Sequence, residues 1–165
     1  MKHRERGFTL IEILIAIAIT GAIITPLLMA TTTMLTNPQR SADQNVVLNQ
    51  VRNASYRISR DVHTAKTVTP GAPNGFPLTL TIPVDNNPSN DYTIEYVFED
   101  SKLMRKQYDS SHTLVSETQI SDYIDTDNST FITISDGLYK LTVRASKGSA
   151  IVTMSYEVSQ RISFS

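Results

Sequence analysis

The chain has 165 residues, a formal net charge of −1 and no cysteine. That length suits one small domain beside a long extension. The charge balance offers no basic field for nucleic acid as a bulk partner, and the missing thiols exclude disulfides, thiolate metal sites and a cysteine nucleophile.

Residues 1–7, MKHRERG, set Lys2, Arg4 and Arg6 against Glu5. A long apolar stretch follows, from Gly7 to Leu35, and Glu12 is its sole charge: between Ile13 and Gln39 there is no Asp, Glu, Lys or Arg. As a helix rising ~1.5 Å per residue, that uncharged run covers about 40 Å, more than the roughly 30 Å hydrocarbon layer of a bilayer. The basic flank predicts a cytoplasmic N-terminus, with everything after the run on the other side of the membrane. A secretory signal peptide has a similar layout, but its apolar core is shorter, carries no glutamate and ends at a small-residue cleavage site. A carboxylate in hydrocarbon costs at least ~2.5–3.5 kcal/mol, so Glu12 is expected to be paired or functional. Gly21 and Pro26 interrupt the run, and Pro26 is expected to kink or locally melt the helix near Ala22–Pro26, since it lacks an N–H and clashes with the preceding turn.

Gly7-Phe8-Thr9-Leu10-Ile11-Glu12, behind a basic leader and ahead of an uncharged helix, resembles the class III signal of type IV pilins and type II secretion pseudopilins. The resemblance implies cleavage by a membrane prepilin peptidase between Gly7 and Phe8 and N-methylation of the new terminal Phe8. It also implies that Glu12 pairs with the Phe8 amine of a neighbouring subunit in a filament. Implied partners are the peptidase, other pilin or pseudopilin subunits and an inner-membrane assembly platform.

From Ser41 to Lys66, Val47, Val51, Ala54, Ile58, Val62 and Ala65 recur at steps of three and four, one apolar stripe on a helix. Arg52, Arg57, Arg60 and Asp61 lie off that stripe, with Arg57 and Asp61 spaced to pair weakly at i and i+4. One helix is therefore expected from Phe8 to about Ala65, stopped by the run Thr67-Val68-Thr69-Pro70-Gly71. The rest reads as antiparallel strands near 78–82, 92–98, 102–108, 113–120, 131–134, 138–145 and 151–162, separated by turn residues. The expected fold is α+β: a long N-terminal helix, half membrane-spanning and half amphipathic, packed on an antiparallel sheet that the stripe covers. The expected divisions are 1–7 leader, 8–36 membrane or filament-core helix, 37–66 amphipathic continuation and 67–165 β domain. This order is also that of the pilin family. The helix end Arg60-Asp61-Val62-His63-Thr64-Ala65 and the segment Tyr92-Thr93-Ile94-Glu95-Tyr96…Leu103-Met104-Arg105 resemble patterns of J-type minor pseudopilins and related minor pilins.

His3, His63 and His112 are scattered, and no HExxH, GxSxG or phosphate-loop motif occurs, so no catalytic residue and no cofactor are assigned. The loop Asp125–Thr130 starts like a calcium loop, but Ser129 and Thr130 stand where a ligand and a glycine belong, so it and Asp85–Asp91 read as solvated turns without a metal. The resulting expectation is a minor pilin or pseudopilin that is stored in the cytoplasmic membrane by a single span and then assembled into a filament. The alternatives are a competence-type pseudopilin acting in DNA uptake, or a signal-anchored extracellular binding domain.

Overall fold

The computed structural model describes residues 9–85 and 87–161, the side chains of 33–38 aside. Gly7 and Phe8, the expected cleavage and methylation positions, lie outside the described residues. One helix, α1, runs from Leu10 to Thr64. Eight strands follow: β1 (Thr67–Gly71), β2 (Gly75–Ile82), β3 (Tyr92–Glu99), β4 (Lys102–Tyr108), β5 (Leu114–Ser121), β6 (Thr130–Ser135), β7 (Leu138–Lys147) and β8 (Ala150–Ser159). The chain divides into two compact units, Met1–Ser41 and Ala42–Ser165.

In the first unit the helix has no core to pack on. Its large apolar side chains from Leu10 to Met29 all stand open, Leu10 at 80% and Met29 at 68%. An all-round apolar helix exposed in this way belongs in lipid or among other helices. Leu10–Thr32, 23 residues, is long and apolar enough to cross a bilayer. Its threonine hydroxyls are satisfied by their own backbone, as a membrane-crossing helix requires: Thr20, Thr25 and Thr31 donate to the carbonyls of Ala16, Gly21 and Leu27 at 2.7, 3.0 and 2.8 Å. The stretch Ala22–Pro26, expected to bend or melt, is helical throughout.

In the second unit the expected stripe forms the heart of the core. Val47, Val51, Ala54, Ile58 and Val62 are fully buried and Ala65 nearly so, together with Leu78, Leu80, Ile94, Tyr96, Leu103, Phe131, Leu141 and Val143 from the strands. The strands make two antiparallel sheets rather than one, ordered β1-β2-β3-β4-β5 and β6-β7-β8. The expected hairpin is present, with Tyr96 opposite Arg105 and Glu99 opposite Lys102.

The run read as a helix stop, Thr67–Gly71, is itself a strand, paired from Thr67–Thr81 to Pro70–Leu78 with the strand that follows. Its proline does not prevent this, because β1 is an edge strand and needs only one row of hydrogen bonds. The helix stops at Thr64, where that run was expected to stop it. The chain beyond β8 holds its end: the Arg161 N–H donates to the His63 carbonyl at 3.2 Å, and the Gln160 side-chain amide donates to the carbonyls of Ala65 and Lys66 just past the helix at 3.1 and 2.6 Å. The two sheets meet where Gly75, at φ +94°, lets the Phe131 carbonyl approach so closely that a Cβ there would lie 2.0 Å from its oxygen.

Candidate functional site

Two polar constellations stand out, one in each unit. At the start of the helix Thr9 is the N-cap. Its backbone N–H and its hydroxyl both donate to Glu12 Oε2, at 2.9 and 2.8 Å, and the Glu12 N–H is within 3.4 Å of Thr9 Oγ1. This is a capping box, Thr-x-x-Glu, in which cap and third residue satisfy each other's orphan donors. The pattern is visible in Thr9-Leu10-Ile11-Glu12, yet the expectation for Glu12 treated it only as an acid in search of a cation. Both contacts to the carboxylate fall on Oε2. Below Glu12 a shallow apolar groove runs along one face past Ile13, Ala16, Ile17, Thr20 and Ile24, with a volume of 590 Å³. Its small residues, Ala16 and Gly21, allow another helix to come close.

The second constellation centres on Asp61, the one acidic residue buried in the core among the described residues. Oδ2 accepts from the Tyr96 hydroxyl and from Arg105 Nε, each at 2.8 Å, while Arg60 Nη2 reaches Oδ1 at 3.1 Å. The expected Arg57–Asp61 pair is corrected here. Asp61 turns inward beside Ile58 and Val62, and Arg57 stays on the exposed face. A buried carboxylate needs partners on both oxygens, and the sheet supplies stronger ones than an exposed arginine one turn away could. Burial, and then the Asp61 charge, hold the Tyr96 phenol well above its ordinary range. For Arg105, burial opposes the charged form, but the Asp61 hydrogen bond and charge outweigh it and the guanidinium is held more firmly protonated. The two patterns noted separately in the sequence, Arg60-Asp61 at the helix end and Tyr96…Arg105 in the hairpin, thus form a single cluster. That link spans 35 to 44 residues and has no local signal.

The two acidic loops close on themselves. Asp125 accepts from the Asn128 backbone and side-chain amides and lies 3.1 Å from Arg144 Nε. Asp85 accepts from Asn87 N–H at 2.7 Å and Asn90 Nδ2 at 2.8 Å, which, the Asn90 bond foremost, hold its carboxyl below the usual range. His63 and His112 remain apart: His63 Nδ1 sits 3.3 Å from the Ser159 carbonyl, and His112 stacks on Tyr108 at 4.8 Å.

Residues 2–28 match the family model described as the prokaryotic N-terminal methylation motif. No curated protein and no solved structure matches the chain.

Proposed function

Because the chain carries a class III prepilin signal, the mark of type IV pilins and pseudopilins, ahead of a pilin-like α+β fold, we propose that it is a minor subunit of a type IV pilus or type II secretion filament. Prepilin peptidase cuts between Gly7 and Phe8, Phe8 is N-methylated, and the mature subunit waits in the cytoplasmic membrane as a single span, its β domain outside. The subunit then enters the filament through its apolar helix and primes or caps assembly.

The observation that carries this reading is the matched signal followed by a fully exposed apolar helix with one carboxylate at its head. In the mature chain Glu12 lies four residues from the new amine. Among the described residues its contacts use one carboxylate oxygen, which supports a role for the other in taking the Phe8 amine of a neighbouring subunit. Thr9 holds the carboxylate until that partner arrives. Pro26 is proposed as the point where the helix yields once packed among others, because the Ala22 carbonyl can receive no N–H from a proline.

The test is mass spectrometry of the membrane-extracted protein together with filament shearing. A mature chain that begins at N-methylated Phe8, a Gly7→Ala chain that keeps its leader, and a Glu12→Gln chain that is processed but absent from sheared filaments are expected. Glu12→Gln entering filaments as well as wild type would overturn the pairing role. Recovery of the unprocessed chain alone, with function intact, would favour a signal-anchored domain.

A further inference from the structure

The outer face of the five-stranded sheet, opposite the core, presents a line of hydroxyls. Antiparallel register sets Thr67 opposite Thr81, Thr81 opposite Thr93 and Thr93 opposite Tyr108. Their neighbours along the strands, Val68, Leu80, Ile82 and Ile94, pack in or against the core, so the alternation of a strand turns the hydroxyls outward. At roughly 4.8 Å between strands, the line is about 14 Å long. Beside it the segment Pro88–Asp91 and the β4–β5 turn wall a groove of 430 Å³, lined by Thr81, Ser89, Asp91, Thr93, Asp109 and His112 among others.

Among the described residues the hydroxyls of Thr81, Ser89 and Thr93 have no hydrogen-bond partner. Each carboxylate spends one oxygen on the protein. Asp91 Oδ2 lies 3.4 Å from Lys66 Nζ, and Asp109 Oδ1 accepts from the Ser111 and Thr113 N–H groups at 2.9 and 2.8 Å. The second oxygen of each is left to take a donor. The exposed His112 ring stacks on Tyr108 with the two planes 9° apart. His112 does so at φ +61°, a conformation that glycine adopts with less strain, so the turn holds a flat ring beside the groove where sterics alone favour none.

These groups select among ligands. Of the described residues lining the groove none is Lys or Arg, so a phosphate, a sulfate or a nucleic acid finds no counter-charge there. Among the described residues no three His, Asp or Glu side chains converge to hold a metal ion. Lys66 already answers the charge of Asp91, so its free oxygen lacks a neutral donor rather than a cation. A sugar hydroxyl supplies that donor, and it both donates to and accepts from a serine or threonine hydroxyl. The C–H face of a sugar ring lies flat on the apolar body of an aromatic side chain. We propose that the groove and the Thr67–Thr81–Thr93 line bind a neutral saccharide chain. One ring rests on His112, its hydroxyls donate to Asp91 and Asp109, and the following rings run along the threonines, a line too long for a single ring. The proposal goes beyond the filament reading and takes from it only that the β domain stands outside the membrane, where glycans are met.

The test is a printed array of neutral, sialylated and sulfated oligosaccharides, probed with the full-length chain in phosphatidylcholine nanodiscs with EDTA present. Calorimetric titration of the strongest neutral binder follows. Capture by at least one neutral oligosaccharide is expected, tighter for the longer members of its series. Thr93→Val removes one groove hydroxyl at nearly constant volume and should weaken that binding about tenfold. His112→Gly should weaken it comparably with Tm little changed, because glycine suits the backbone there. Thr142→Val, which lies on the other sheet, should leave the affinity as it is. Capture of no neutral oligosaccharide, or of acidic ones alone, overturns the proposal. Binding that survives both Thr93→Val and His112→Gly puts the sugar elsewhere and overturns it too. Binding seen only when calcium replaces EDTA makes the groove a cation site and has the same consequence. The array does not read filament entry, so its failure leaves the filament reading standing.

Discussion

Asp61 shows how much one side chain can carry. It is 4% exposed and collects a tyrosine hydroxyl and two guanidinium groups. Replacing it by alanine would leave Arg105 and Tyr96 inside the fold without their acceptor, at a cost of about 3 kcal/mol. For a unit of this size that is a fall in Tm on the order of 10 °C, readable by circular dichroism on the detergent-solubilised chain. The cluster also has a pH signature. The folded Tyr96 pKa lies above its unfolded value, so the folded state holds that proton when the unfolded chain releases it. The associated stability is complete below about pH 10, the unfolded tyrosine value, and declines as pH rises beyond it. A Tyr96→Phe chain should be less stable at pH 7 by roughly 1–2 kcal/mol, for want of a hydrogen bond to a charged acceptor. Its stability should fall less steeply than wild type in urea titrations between about pH 9 and 11. Equal slopes would show that the phenol is not held protonated by the fold.

At the scale of elements, stability depends on two joints. The first is α1 against the sheets, through the stripe from Val47 to Ala65. Ile58→Ala empties a fully buried site and is expected to cost about 2–5 kcal/mol, whereas Arg57→Ala on the exposed face should change the urea midpoint little. The second joint lies between the sheets, where the Phe131 N–H donates to the Asn74 carbonyl at 2.8 Å and Gly75 gives way to the Phe131 backbone. A Gly75→Ala side chain meets that backbone at a φ that favours glycine, with no flexible neighbour to move. The expected result is loss of more than about 2 kcal/mol, or a chain recovered only as aggregate, and limited proteolysis would report it.

At the scale of the molecule, the two units answer to different solvents. Residues Leu10–Thr32 expose apolar side chains on every side, while the unit from Ala42 onward buries its own core and holds both the Asp61 cluster and the sheet joint within it. A fragment starting at Ala42 is therefore expected to remain in the soluble fraction and to melt cooperatively, checked by sedimentation and circular dichroism. The full chain should sediment with membranes and require detergent. A fragment that is soluble but lacks a melting transition would mean that the unit depends on residues before Ala42.

The sequence by itself determined whatever depends on neighbours along the chain. The uncharged run after Glu12, the stripe at steps of three and four, the Tyr92–Tyr108 hairpin and the Gly7–Glu12 signal are all local patterns, and a helix or strand displays them with its own period. The Thr9–Glu12 capping box is equally local, since Thr-x-x-Glu puts cap and third residue within reach of each other. Only the tertiary structure decided where Asp61 turns, because its partners Tyr96 and Arg105 stand 35 and 44 residues away and no spacing rule couples them. It also decided that Thr67–Gly71 pairs as an edge strand, that the strands separate into two sheets, and that Gln160 and Arg161 tie down the chain at the helix end. Each of these outcomes depends on which surfaces and donors meet in space, and burial makes an unmet carboxylate or carbonyl too costly to leave alone.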